Sequence, residues 1–164
     1  MHALTESDVR ESFINAEEEE LRLIEMPHDF LLVDWDFHDF LAWPDPASSK
    51  RGCVIVEIDG QVTGIVLRSA GSGRTRSGMC NICHTMQPGN QIALFSARRA
   101  GAAGARGDSV GTYICADLSC HENVRVAHPL APNEVLMAGQ VDMRLDGTRR
   151  RMEGFAKRVL EGLD

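Results

Sequence analysis

Cys80-Asn81-Ile82-Cys83 is a Cys-x2-Cys turn, and Cys115-Ala116-Asp117-Leu118-Ser119-Cys120 is a Cys-x4-Cys pair after 31 intervening residues. A Cys-x2-Cys turn lets two sulfurs converge on one ion. Four thiolates suit a tetrahedral zinc ion, with Zn–S at about 2.3 Å. In the second pair, Cys115 is expected to end a strand and Cys120 to occupy the first turn of the helix that follows. A helix N-terminus there favours the anionic sulfur.

Knuckle, hairpin, then a helix supplying the last ligand is the logic of a treble-clef zinc site. Four protein ligands fill the coordination sphere, so one structural Zn2+ is expected rather than a catalytic ion with an open position. Three rival readings of the cysteines exist. His84 makes the first pair Cys-x2-Cys-His, the haem-attachment pattern, but that chemistry requires export and leaves Cys115 and Cys120 unexplained. A redox dithiol usually opens a helix in a βαβ context, which is missing here. A zinc deaminase needs His-x-Glu upstream and Pro before the pair, and Cys80 has neither. Cys53, among Val54, Ile55 and Val56, reads as a buried small hydrophobe. His121 and His128 flank the second pair and are expected at its periphery rather than as ligands.

Outward from the cysteines, Cys53–Ile58 and Val62–Ser69 read as strands joined by Asp59-Gly60-Gln61, since Asp-Gly is a hairpin turn signal. Ile92–Ala97 and Gly111–Cys115 are further strand candidates, with a glycine-rich mobile loop expected over Ala100–Gly111. Asp117 is placed to cap a helix from Leu118 to about Val126. Val141, Leu145, Thr148, Met152, Phe155 and Val159 recur at spacings of four and three, an amphipathic helix with Arg149-Arg150-Arg151 mostly on its outer faces. Thr5 and Asp8 look like a capping box for a helix whose imperfect stripe runs towards Pro27. Glu17-Glu18-Glu19-Glu20 would be its solvated face, and Asp34 to Trp43 a packed elbow holding both tryptophans. The expected class is α+β: a treble-clef zinc finger with a small antiparallel sheet over 40–164, preceded by an acidic helical segment over 1–39.

The 164-residue chain has a net charge of −7, which conceals a division. Residues 1–39 hold twelve Asp/Glu against two Arg, whereas 60–107 hold six Arg and no acid. A basic middle third in an acidic chain points to an anionic partner, or to the acidic arm docking on it in cis. No apolar stretch approaches the length of a membrane span, and the start is acidic within a few residues, so a cytoplasmic protein is expected. No Gly-x-Ser-x-Gly, Walker A or His-Glu-x2-His motif occurs, so neither an enzyme nor a small-molecule substrate is expected.

Asp39-Phe40-Leu41-Ala42-Trp43, the Asp59-Gly60 hairpin, Met79 to Cys83, Ile92 to Phe95 and Gly111 to Cys120 occur in order. Together they resemble the C-terminal treble-clef domain of the elongation factor G-binding proteins, the FusB-type fusidic acid resistance family. The likeness is greatest to stand-alone versions of that domain in high-GC Gram-positive bacteria, and covers roughly 35–160. It implies binding to elongation factor G, which in the resistance proteins promotes release of the factor from drug-stalled ribosomes. The zinc ligands carry over to Cys80, Cys83, Cys115 and Cys120, and partner-contact aromatics to Tyr113 and Phe155. With Arg98, Arg99 and Arg106 beside them, Tyr113 and Phe155 form the expected partner-binding set. The alternative is a zinc finger contacting ribosomal or transfer RNA through those arginines. Base-stacking aromatics are scarce, however: only Phe95 lies within the basic stretch.

Overall fold

Asp59 and Gly60 both adopt positive φ (51° and 83°), the geometry of a two-residue type I′ turn, and they join β2 (Arg51–Ile58) to β3 (Gln61–Ser69). In the computed structural model, which describes residues 1–71, 76–126 and 139–161, this hairpin is the centre of a five-stranded antiparallel sheet. The order is β1-β2-β3-β6-β7, with β1 at Phe40–Pro44, β6 at Ile92–Arg98 and β7 at Ser109–Cys115. A separate two-stranded ribbon, β4 (Gly78–Met79) with β5 (Met86–Gln87), carries the first cysteine pair. Among the described residues, no helix is long and apolar enough to cross a membrane.

Strand alternation gives the sheet two buried faces. Val54, Val56, Ile65, Leu67, Phe95 and Ile114 meet the C-terminal helix α5 (Gln140–Leu160) through Met152, Phe155, Ala156 and Val159. The expected helix is therefore present, and its apolar stripe packs from Leu145 to Val159, while Val141 at its start is exposed. Phe155 is 1% exposed, so it cannot serve as a partner contact; its ring fills the core between helix and sheet.

The opposite face of β1 to β3 is covered by the N-terminal segment. Val9, Ile24 and Phe30 bury against Leu41, Trp43, Cys53, Ile55 and Val66, and the Trp43 indole N–H donates to the Glu25 carbonyl at 2.9 Å. The single long helix expected here is instead two short ones. The capping box of Thr5 and Asp8 opens α1 (Glu6–Glu11), and α2 is only Glu18–Leu21. Between them the chain is extended, because Ser12 and Ile14 exchange backbone hydrogen bonds with Gly64 of β3 at 2.8 and 3.0 Å. A Cβ at Gly64 would stand 2.6 Å from Ser12 Oγ and 3.0 Å from the Phe13 backbone N, so the segment could not approach β3 this closely.

The expected elbow is packed, with Trp43 buried and Trp35 against the same cluster, and it resolves into a 3-10 turn at Trp35–Phe37 followed by β1, whose apolar run buries on both faces. Two other expectations are corrected. The glycine-rich segment expected to be a mobile loop is ordered as α3 (Gly101–Ala105) and the start of β7; Ala100 N–H donates to the Val159 carbonyl at 2.9 Å. The helix after Cys115 is only α4 (Cys120–Asn123), preceded by Ser119, with Asp117 bracing the Ser119 amide instead of capping. Pro129, Pro132 and His128 lie outside the described residues.

β3 and β6 pair only at Arg68↔Ser96 and Ser69↔Phe95. Where they diverge, the buried Asn15 side chain bridges them. Its amide donates to the Val66 and Arg98 carbonyls at 3.0 and 3.1 Å, and its carbonyl accepts from Val66 N–H at 2.8 Å. Asn15→Ala leaves these buried backbone groups unpaired and is expected to lower stability by about 2–3 kcal/mol. Denaturant unfolding of the zinc-loaded protein measures this; a loss below the resolution of the method would remove Asn15 as the sheet's bridge.

Candidate metal centre

The β4–β5 ribbon folds the first cysteine pair into a tight knuckle. Cys80 N–H donates to the Thr85 carbonyl and His84 N–H to the Cys80 carbonyl, both at 3.0 Å, and His84 takes a left-handed φ of 55° to close the turn. Cys115 ends β7 and Cys120 begins α4, as the spacing predicts. Between them Leu118, also left-handed at φ 60°, is buried beside Gly52.

All four sulfurs are buried and lie within 4.8 Å of one another. Cys80 and Cys120 are 3.5 Å apart, and Cys83 and Cys115 are 3.6 Å apart. A regular tetrahedron with Zn–S of about 2.3 Å places sulfurs about 3.8 Å apart, whereas a disulfide would hold them near about 2.05 Å. All five cysteines are unpaired thiols. The residues therefore fit one zinc ion.

Neighbouring donors favour thiolates. Ile82 and Cys83 amides point at Cys80 Sγ at 3.4 and 3.5 Å, Asn123 Nδ2 donates to Cys115 Sγ at 3.3 Å, and Thr85 Oγ1 is 2.9 Å from Cys83 Sγ. Hydrogen bonds from Cys115, then Cys120, hold the Cys80 and Cys83 thiols below the ordinary cysteine value. Cys120 is pushed well above it, first by its bond to Cys115. Four thiolates this close cannot all ionise against one another, and a divalent cation supplies the charge that otherwise keeps protons in the cluster. Cys53 is remote from this site, its thiol pushed up by burial in the other core.

Among the described residues, histidines stand outside the ligand set. His121 stacks on His38 with ring centroids 3.8 Å apart, and burial, then His38 and Arg125, drive its pKa down to about 4. Tyr113 is half-buried on β7 opposite Leu94, and its carbonyl accepts the Asn81 amide of the knuckle at 2.9 Å. Arg98 pairs with Ser109 four residues further along the hairpin, about 13 Å away at strand rise. Arg98 and Arg106 are exposed, while Arg99 donates to the Arg158 carbonyl at 2.5 Å. The structure therefore separates the expected contact set. Tyr113 is tied to the metal knuckle, the arginines lie towards the far end of the hairpin, and Phe155 is in the core.

Sequence reasoning missed three features beside the metal. Arg151 folds inward, its Nε donating to the Ile82 carbonyl at 2.6 Å. Met79 and Met86, paired across the knuckle ribbon, are 49% and 64% exposed. Isolated methionines carry no periodic signal, and Arg151 is indistinguishable from Arg149 and Arg150 until the helix is rotated against the knuckle.

The model of the FBP C-terminal treble-clef zinc-finger family matches residues 8–159. No curated protein and no solved structure gives a significant match.

Purified protein is expected to carry one zinc per chain by elemental analysis. Cys115→Ser opens the sphere and leaves three buried thiolates, so it is expected to lose the metal and its cooperative melt. A variant that melts like the parent, or a parent holding far less than one zinc per chain, overturns a structural site.

Proposed function

The chain belongs to the FBP C-terminal treble-clef zinc-finger family, and from that premise we propose that it is a non-enzymatic docking module that binds translation elongation factor G. On this reading it works in the cytoplasm and modulates release of the factor from the ribosome, as fusidic acid resistance proteins of this kind do.

The observation that carries the proposal is the strip beside the metal. Leu94 and Tyr113 are directly opposed on β6 and β7, so they share one sheet face, and Leu94 is 37% exposed. The N-terminal segment packs over β1 to β3 on that face, while Leu94, Arg98, Ser109 and Gly111 remain exposed. The hydrogen bond from Asn81 fixes the Tyr113 backbone to the zinc knuckle. A tyrosine and a leucine held on a rigid, metal-anchored hairpin form an anchor of the kind that dominates protein interfaces. The closed coordination of four thiolates gives the metal a scaffolding role, without an open position for substrate.

Binding of purified elongation factor G, followed by calorimetry, tests the reading. Tyr113→Ala is expected to weaken the complex at least about tenfold, and Leu94→Glu, which places a charge on the open face without touching the core, to weaken it comparably. Both variants should keep one zinc per chain. Absence of a complex with the parent, or affinities untouched by both substitutions, overturns the proposal.

A further inference from the structure

The cations of α5 divide by face. Arg149 lies 3.6 and 3.9 Å from Asp146 and Glu153, Arg150 is 3.9 Å from Asp146, and Lys157 is 3.4 Å from Asp59. Arg144, Arg151 and Arg158 have no carboxylate partner among the described residues, and of these Arg151 and Arg158 border a groove beside the zinc knuckle. These two lie seven residues apart, hence on nearly the same face of the helix, with Gly154 between them. The groove, of about 440 Å³, lies between α5, β7 and the zinc knuckle.

The groove's chemistry is that of an oxyanion site. Arg151 and Arg158 of α5, Asn81 and His84 of the knuckle and Thr112 of β7 line it together with the apolar Ile82 and Phe155, with no Asp or Glu among the lining residues. Arg151 is pre-positioned, its Nε held by the Ile82 carbonyl and its Nη2 by Thr148 Oγ1 at 3.3 Å. Gly154 faces open space, with nothing within 4 Å of where a Cβ would stand. Guanidinium and imidazole N–H groups share this lining with the Asn81 amide, whose Nδ2 donates to Thr112 Oγ1 at 3.4 Å. Arginine in particular matches phosphate oxygens two at a time.

We propose that this groove binds phosphate groups, clasped between Arg151, Arg158 and the knuckle. The groove adjoins the Tyr113 strip at Gly111 and Asn81, but its cations come from α5, so loss of phosphate binding through Arg158 and loss of factor binding through Tyr113 or Leu94 can be read separately. The phosphate can belong to an RNA backbone or to a small phosphorylated ligand, two sources of one chemistry.

The test is an amide NMR titration of the zinc-loaded full chain, with inorganic phosphate in one arm and a short single-stranded RNA at low and raised salt in the other. Shifts are expected at Asn81, Thr112 and Gly154. Arg158→Gln should weaken binding about tenfold, Arg158→Lys should recover part of it, and Arg149→Gln should leave it near the parent. Arg158 is exposed, so these variants are expected to melt like the parent. RNA binding that falls with salt and with Arg158→Gln assigns the site to a nucleic-acid backbone. Saturation by phosphate without RNA binding assigns it to a small ligand. Unshifted groove amides in both arms overturn the proposal, as does equal weakening by Arg149→Gln and Arg158→Gln. Binding of a glutamate-rich peptide in the groove where phosphate fails also overturns it.

Discussion

Four sulfurs from two turns far apart in the chain must share one cation, and most of the C-terminal half is arranged around that requirement. To bring Cys115 and Cys120 onto one ion, the intervening turn passes through a left-handed Leu118, which buries that side chain against β2. β2 accepts it because position 52 is glycine: a Cβ there would sit 2.5 Å from Leu118 Cδ1. The four ligands also share one core with Phe155, Met152 and Val159 of α5. The metal is thus continuous with the hydrophobic core, and a change at the cluster is transmitted to the sheet and the helix that cover it.

The other half of the sheet depends on a different device. β3 and β6 are in ladder register at only two residue pairs, and the segment around Asn15 occupies the opening they leave. Here a side-chain amide does what a strand backbone does elsewhere, both donating and accepting. The acidic N-terminal segment is in this sense a component of the sheet, and the family match, which begins at residue 8, includes it.

Features set by local chemistry were legible in the sequence. Asp59-Gly60 selects its turn by the positive φ both residues tolerate, the cysteine spacings specify the ligand set, and the period of α5 follows from its buried stripe. Features set by distant partners were not. Nothing in residues 12–15 signals that Gly64 will pair with them and end a helix that the upstream pattern would continue. β1 lacks alternation because both of its faces are covered, one by α5 and one by the arm. The segment after Ala100 looks mobile from its glycines, yet Gly104 packs so closely on the Arg99 carbonyl that no side chain could fit there. Phe155 stands on the apolar stripe of the expected helix, and the packing of α5 puts its ring in the core, whereas Tyr113 stays half-buried on β7.

The charge division of the sequence is redistributed by folding. Glu20 of the acidic arm pairs with Arg68 of the basic stretch at 2.5 Å, so arm and stretch do meet, although at a single ion pair among the described residues. Arg10 and Arg22 of the arm pair with its own Glu6 and Glu18, and Arg99 turns to the end of α5. A linear run of arginines therefore does not become a continuous basic surface. Strand alternation and hairpin length scatter those residues, while a helix returns Arg151 and Arg158 to one face after two turns. Charge that matters for recognition is set by which cations lack a carboxylate within reach. The acids of α5 are Asp142, Asp146 and Glu153, and the cations left without a carboxylate are Arg144, Arg151 and Arg158; the last two face the knuckle, which has no acid from Cys80 to Cys83.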